Sequence, residues 1–146
     1  MIVQDFYLKR WDWDVRVYYY VDDYYADDIL DDLEAIGCYD TDIIDILFSK
    51  PYNTGLTYTS PYYNSALIVI SETTSPEEFQ STFDHEKGHL AVHIADSLGI
   101  DLRSEEFQYL VGEIGKKMYS VAKLFLCEHC SLDLLNYKGL RINETF

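Results

Sequence analysis

The chain has 146 residues, enough for one domain around a single hydrophobic core, and 48% of them are hydrophobic. Its formal net charge of −15 disfavours binding to DNA, RNA or anionic lipid, because those surfaces carry charge of the same sign. No apolar run is long enough to cross a bilayer, and the first residues lack the basic start and apolar stretch of a signal peptide. We therefore predict a cytoplasmic protein, with residues 1–146 as a single domain whose charge suits cations or a basic protein partner.

The N-terminal half of the chain predicts strands and two short helices. β-Branched and aromatic residues favour the strands, and a continuous apolar run such as "SALIVIS" is typical of a buried strand. The predicted strands are Ile2–Leu8, Val15–Val21, a short one within Asn53–Ser60, and Ser65–Ser71. The first predicted helix carries apolar residues at helical spacing and ends at Gly37; the second begins at Thr41 and ends before Pro51.

The C-terminal half predicts two long helices. Ser75 is placed as the N-cap of the first, Pro76 occupies its first turn, and Glu78 stands three residues after the cap, which forms a capping box. This helix is expected to run to Leu98 and to end at Gly99. The second helix begins in "SEEFQYL", and its apolar stripe is Phe107, Leu110, Val111, Ile114, Met118, Val121 and Phe125.

The first long helix contains the motif H-E-x-x-H, formed by His85, Glu86 and His89. Residues four apart on a helix stand one above the other, so two imidazoles at this spacing can reach one zinc ion. Glu86 leaves that line by about 100°. In zinc hydrolases this offset lets the carboxylate act as general base on the metal-bound water. The motif therefore predicts a zinc site, although a match this short also arises by chance.

A catalytic zinc ion usually has three protein ligands and a water molecule. His93 does not fit as the third ligand, because it lies about 12 Å from His85 along the helix axis. We place His93 beside the cleft, as a residue that contacts the ligands or the substrate, or as a solvated histidine.

The remaining candidates for the third ligand are acids of the second helix, Glu105, Glu106 and Glu113. The helical wheel puts Glu106 and Glu113 closer to the apolar stripe. The gluzincin pattern, in which the ligand glutamate opens a helix and an apolar residue follows two positions later, favours Glu105, since Phe107 follows it. We predict Glu105, with Glu106 as the alternative; acids in a first helical turn also arise because they complement the helix dipole.

The three cysteines, Cys38, Cys127 and Cys130, form an odd set that we expect to be reduced. "CEHC" at 127–130 has the spacing of half a structural zinc site. A closed site needs four ligands, and no second Cys/His pair is near in the sequence. Thiols without a metal are the favoured interpretation.

Several segments together resemble a family of small H-E-x-x-H proteins found in gut bacteria of the Bacteroides group and in their phages and mobile elements. The segments are "YYYVDDYYADDILDDLEAIGC", "NTGLTY", "HEKGHLAVHIADSLGI", "SEEFQYLVGEIGKKMY" and "LFLCEHC". The resemblance covers about Val15 to Cys130. It implies that the histidine pair, the acids of the second helix and the Cys-x-x-Cys end belong to one domain. The family is classed among metallopeptidases on the basis of the same motif.

These observations predict an α+β, zincin-like domain of gluzincin type, with a small sheet packed on the H-E-x-x-H helix and a second long helix packed across it. His85, His89 and Glu105 are expected to hold Zn²⁺, and Glu86 to act as general base in hydrolysis of a peptide or protein substrate. Tyr109 and His93 are candidate partners for the oxyanion. In zincins an edge strand lines the cleft and pairs with the substrate.

A second hypothesis is a non-enzymatic acidic binding protein, or a phage virion or accessory protein, that keeps the zincin-like fold. It would reside in the host cytoplasm or in the virion. It would use its acidic, tyrosine-rich surface, with 14 tyrosines in the chain, to engage a partner.

Overall fold

A mixed β-sheet lies at the centre of the fold. The computed structural model describes residues 1–40, 42–48, 55–127 and 140–143, and within these ranges five strands form one sheet. The strands are β1 (Ile2–Leu8), β2 (Trp13–Val21), β3 (Gly55–Ser60), β4 (Ser65–Ser71) and β5 (Leu140–Asn143), in the spatial order β3-β4-β2-β1-β5. The helices are α1 (Ala26–Ala35), α2 (Asp42–Phe48), α3 (Pro76–Leu98) and α4 (Glu105–Ala122). The fold is α+β, as predicted.

The spatial order of the described strands places β3 at one edge of the sheet. β1 and β2 are antiparallel, as are β3 and β4, whereas β2–β4 and β1–β5 are parallel. Along the chain, β2 is followed by α1, α2 and β3. The next strand, β4, then pairs with both β3 and β2. Among the described strands, β3 has β4 as its one neighbour, so the backbone groups on its outer side are not used by the sheet.

The sheet is buried on both faces, which explains the continuous apolar run of β4. Ala66, Ile68 and Ile70 belong to the core cluster that contains the apolar residues of α3 and α4. Leu67 and Val69 belong to the cluster on the other face, with the apolar residues of α1 and α2. Successive side chains of a strand point to opposite faces, so a strand covered on both sides is apolar throughout.

The two ends of α3 follow the predicted signals. The hydroxyl of Ser75 accepts a hydrogen bond from the backbone N–H of Glu78 at 3.1 Å. The Glu78 carboxylate accepts from the backbone N–H of Thr74 at 3.0 Å, one residue before the position that the capping box predicts. Gly99 ends the helix with a φ of 69°, a left-handed conformation that glycine adopts without steric cost.

The two long helices cover different parts of the same sheet face. α3 packs on β3 and β4, while α4 packs on α3 and on β1. A buried polar contact fixes α4: the side-chain amide of Gln4, which is 0% exposed, donates to the backbone carbonyl of Lys117 at 2.8 Å and accepts from the hydroxyl of Tyr19. Leu110, Ile114, Met118 and Val121 of the predicted stripe are fully buried, which confirms the facing of this helix.

Two parts of the sequence prediction need comment. The strand β5 was not predicted, because its four residues carry no clear pattern. Thr41, Pro51 and Asn53, which were expected at helix ends and a turn, lie outside the described residues. No helix in the described ranges is both long and apolar enough to cross a membrane.

Candidate metal centre

The histidine pair of the motif is formed as predicted from the helical spacing. The Nε2 atoms of His85 and His89 lie 3.0 Å apart, and the two rings meet at an interplanar angle of 82°. Both side chains are exposed, with 67% of the His85 side chain open to solvent. Two nitrogens bound to one tetrahedral zinc ion at about 2.0–2.1 Å are about 3.3 Å apart, which is close to the observed separation. The same separation also allows one imidazole to donate a hydrogen bond to the other, in which case the ring tautomers differ.

Glu86 points into the protein rather than into solvent. The residue is 5% exposed and lies on the face of α3 that packs on the sheet. Its Oε1 lies 4.0 Å from Nε2 of His85, and its Oε2 accepts a hydrogen bond of 2.6 Å from the hydroxyl of Thr57 on β3. The carboxylate is therefore held between the edge strand and the histidine pair.

Residues of β3 that point towards α3 form the wall of the site. Gly55, Thr57 and Thr59 alternate along the strand and share this face. A Cβ atom on Gly55 would lie 2.7–2.9 Å from three side-chain atoms of Glu86, so Gly55 leaves the space that the carboxylate occupies. These three residues were not among the predicted site residues, although small and hydroxylated residues at every second position of "GLTYT" were the available signal.

His93 extends the row of imidazoles along α3. Its ring lies 5.6 Å from that of His89, and its Nδ1 is 2.7 Å from the hydroxyl of Thr59. Burial lowers the pKa of His93 below its ordinary value, and the neighbouring His89 lowers it further. His93 therefore favours the neutral form and links α3 to the edge strand one turn beyond the motif.

Helix α4 packs on the side of α3 that is remote from the histidine pair. A Cβ atom on Gly115 of α4 would lie 3.8 Å from Nζ of Lys87, which shows that α4 packs along the Lys87 side of α3. Lys87 is two positions from both His85 and His89, which is about 200° around the helix axis. The histidines consequently face away from α4.

The carboxylate of Glu106 binds two residues of the turn between β1 and β2, Arg10 and Trp11. Its Oε1 accepts a hydrogen bond of 2.9 Å from Nε1 of Trp11, and its Oε2 pairs with the guanidinium of Arg10. Glu113 and Tyr109 lie at the same end of the sheet, where they line a cleft of about 680 Å³ with Arg10 and Trp11. Tyr109 is 56% exposed, and its ring stacks on Arg10 at 5.3 Å. Neither Glu106, Glu113 nor Tyr109 lies with the histidine pair.

Glu105, the favoured third ligand, is exposed at the first residue of α4. In the part of the chain that the structure describes, no three or more His, Cys, Asp and Glu side chains are grouped so that they could hold one ion. The structure thus forms the imidazole pair and the adjacent carboxylate but does not assemble the predicted set of three ligands. The reason is the position of α4 beside the Lys87 side of α3, where Glu106 contacts the β1–β2 turn and Glu105 is exposed.

The donor set therefore fits a metal ion in part. Two imidazole nitrogens at 3.0 Å are suitable ligands for Zn²⁺, and Glu86 is close to them without being one of the two converging donors. The acids on α4, as they are placed, do not supply the third ligand.

The two described cysteines, Cys38 and Cys127, are not grouped with the histidine pair. Cys38 is buried in the core cluster on the opposite face of the sheet, and Cys127 is exposed. Cys130 lies outside the described residues, so a metal site at 127–130 stays untested.

The chain was compared with protein-family models, with curated proteins and with solved structures, and nothing in the three comparisons matches it.

Proposed function

We propose that this protein is a zinc-dependent hydrolase of peptide bonds, of zincin-like type, with its site at His85, Glu86 and His89 beside the edge strand β3. The observation that carries the proposal is the convergence of the two Nε2 atoms at 3.0 Å next to a buried carboxylate. Glutamate is almost never buried without a partner, and a buried Glu86 held beside two exposed histidines is the arrangement that a general base next to a metal requires.

In this proposal His85 and His89 hold the metal. Zinc, when bound, supplies a Lewis acid that polarises the scissile carbonyl and makes a water molecule nucleophilic at neutral pH. Glu86 accepts the proton from the attacking water and passes it to the leaving amine. The open backbone edge of β3 suits an extended peptide, which can add to the sheet as a further strand.

The metal is tested first by elemental analysis of protein purified without added metal. We expect about one zinc per chain in the wild type and none in the double variant H85A/H89A. H93A is the matched control, because it removes the third histidine of the same helix, which is not a predicted ligand, and we expect it to keep the zinc. Equal zinc content in the wild type and in H85A/H89A contradicts the proposed centre.

The hydrolytic step is tested with quenched fluorescent peptides. E86Q keeps the shape of the side chain and a hydrogen-bond acceptor for Thr57, but it removes the base. We expect E86Q to bind zinc as the wild type does and to lose turnover by at least about a hundredfold. Turnover that survives in E86Q assigns the base to another group.

The third ligand has its own test, since the described arrangement does not include one. E105Q and E106Q are compared for zinc affinity by competition with a chromophoric chelator. A fall of about tenfold or more in E105Q alone assigns Glu105, through a rearrangement of the start of α4. Unchanged affinity in both variants leaves the two histidines as the ligands among the tested residues.

A non-enzymatic acidic binding protein is the second candidate. The observation that favours it is the exposure of several tyrosines, with Tyr24 at 82%, Tyr39 at 74% and Tyr62 at 88%, on a chain with a net charge of −15. Aromatic residues are enriched in protein interfaces. This candidate predicts salt-sensitive binding to a basic protein that E86Q leaves unchanged.

A further inference from the structure

We propose that Thr57 is a positioning residue that holds the Glu86 carboxylate in the orientation required for proton transfer. The inference rests on the proposed function and deepens it, because it assigns to the edge strand a role in placing the general base. Within the described residues the Thr57 hydroxyl bonds to Glu86 and not to the histidines, so its effect is expected to pass through Glu86.

The hydroxyl of Thr57 is within hydrogen-bond distance of Glu86. The hydroxyl of Thr57 lies 2.6 Å from Oε2 of Glu86 and 3.1 Å from the backbone carbonyl oxygen of the same residue. A threonine hydroxyl has one proton to donate, and the shorter distance assigns that proton to the carboxylate. The bond therefore holds the Glu86 carboxylate against β3.

The two carboxylate oxygens of Glu86 have different neighbours, which leaves Oε1 for proton transfer. Oε2 accepts the hydrogen bond from Thr57, whereas Oε1 lies 4.0 Å from Nε2 of His85. A bond to Oε2 therefore fixes the direction of Oε1. A carboxylate that rotates loses this direction, and general-base catalysis requires the base within hydrogen-bond reach of its proton.

Loss of the Thr57 hydroxyl would leave the buried Glu86 carboxylate without a hydrogen-bond donor, which costs free energy. Glu86 is 5% exposed, and within the described residues Thr57 donates the hydrogen bond that its side chain accepts. A buried polar group without a partner is costly, so without the hydroxyl the carboxylate is expected to turn towards water. On α3 the exposed direction leads away from β3.

The test compares T57V, which removes the hydroxyl at nearly constant volume, with T57S, which keeps it. We expect T57V to lower kcat for peptide hydrolysis at least tenfold, with KM and zinc affinity each within about twofold of the wild type. We expect T57S to recover kcat to within about threefold. This pattern separates positioning from a general loss of structure, which would not be rescued by serine and would also change zinc content.

A second measurement does not depend on hydrolysis. In a double-mutant cycle for unfolding, T57V is introduced into the wild type and into E86M, where no carboxylate remains to be satisfied. We expect T57V to raise the unfolding equilibrium constant about tenfold more in the wild type than in E86M. T59V, on the same face of β3, is the control, and its effect should be the same in both backgrounds.

The outcomes are distinguishable. Equal effects of T57V in the two backgrounds overturn the inference, since the Thr57–Glu86 bond is then absent. Coupling together with wild-type kcat in T57V also overturns it, because the bond is then structural only. Coupling in a protein whose wild type has no turnover refutes the proposed function, and the catalytic part of the inference with it, while the hydrogen bond itself is upheld.

Discussion

Replacing Gly55 by alanine is the perturbation that probes the contact between the edge strand and the motif most directly. A Cβ atom at this position would lie 2.7 Å from Cγ, 2.8 Å from Oε1 and 2.9 Å from Cδ of Glu86. Real Cβ contacts are essentially never below 3.0 Å, and ordinary ones begin at 3.4 Å, so the two atoms must separate by at least 3.0 − 2.7 = 0.3 Å and by 3.4 − 2.7 = 0.7 Å for an ordinary contact. Cγ is close to the helix backbone and cannot swing away as the tip of a long side chain can.

The expected cost follows from this overlap. Forcing an extra carbon into a packed site typically costs about 1–3 kcal/mol, and the reduced freedom of the unfolded chain offsets about 0.4–1 kcal/mol of it. We therefore expect G55A to lower the free energy of unfolding by about 1–2 kcal/mol. For a chain of this size the melting temperature should fall by about 2–4 °C for each kcal/mol.

Gly88 provides the matched control, because it lies in α3 two residues from Glu86. A Cβ atom there meets nothing within 4 Å, and alanine is a better helix former than glycine by about 0.8–1 kcal/mol. G88A should therefore be more stable than the wild type. Both variants are measured by urea unfolding followed by circular dichroism. If G55A is as stable as G88A, the close approach of β3 to Glu86 is wrong.

Three further predictions concern other parts of the molecule. Glu106→Ala should lower the free energy of unfolding by about 1–2 kcal/mol, since it leaves the buried indole N–H of Trp11 without its acceptor; thermal unfolding measures this, and a loss of zinc affinity would instead favour a ligand role. Burial, and then the charge of Glu72, raise the pKa of Tyr20. The folded state therefore keeps this proton longer than the unfolded state, and stability falls as the pH rises past about 10; Y20F should lose less stability over that range in urea unfolding at successive pH values, and an identical loss would count against this pKa. Leu90→Ala, at a fully buried position, should cost about 2–5 kcal/mol, and a cost below about 1 kcal/mol would mean that α3 is not packed on the sheet as described.

Elements with strong local signals were predicted closely. β1 and β4 have the predicted bounds, and α3 begins after Ser75 and ends before Gly99 as its caps indicated. Such signals act between residues that are near in the chain, so the sequence displays them directly. The apolar stripe of α4 likewise fixed which face is buried, because periodicity defines a face without reference to a partner.

The third ligand shows where this reasoning stops. The gluzincin pattern favoured Glu105, and the helical wheel favoured Glu106 and Glu113. Neither indicates which element a given side of α4 packs against. In the structure α4 is next to the Lys87 side of α3, and Glu106 binds Trp11. A polar side chain between the buried and exposed faces of a helix takes its partner from the elements that pack beside the helix. Which elements pack there depends on residues throughout the chain.

The sequence by itself determined the imidazole pair of His85 and His89, because four residues of helix fix their relation whatever surrounds them. Only the tertiary structure decided that Glu86 is buried against β3 and bonded to Thr57, and that the acids of α4 point elsewhere. Geometry within a helix follows from the regular backbone, whereas geometry between elements follows from how their side chains fill a shared core.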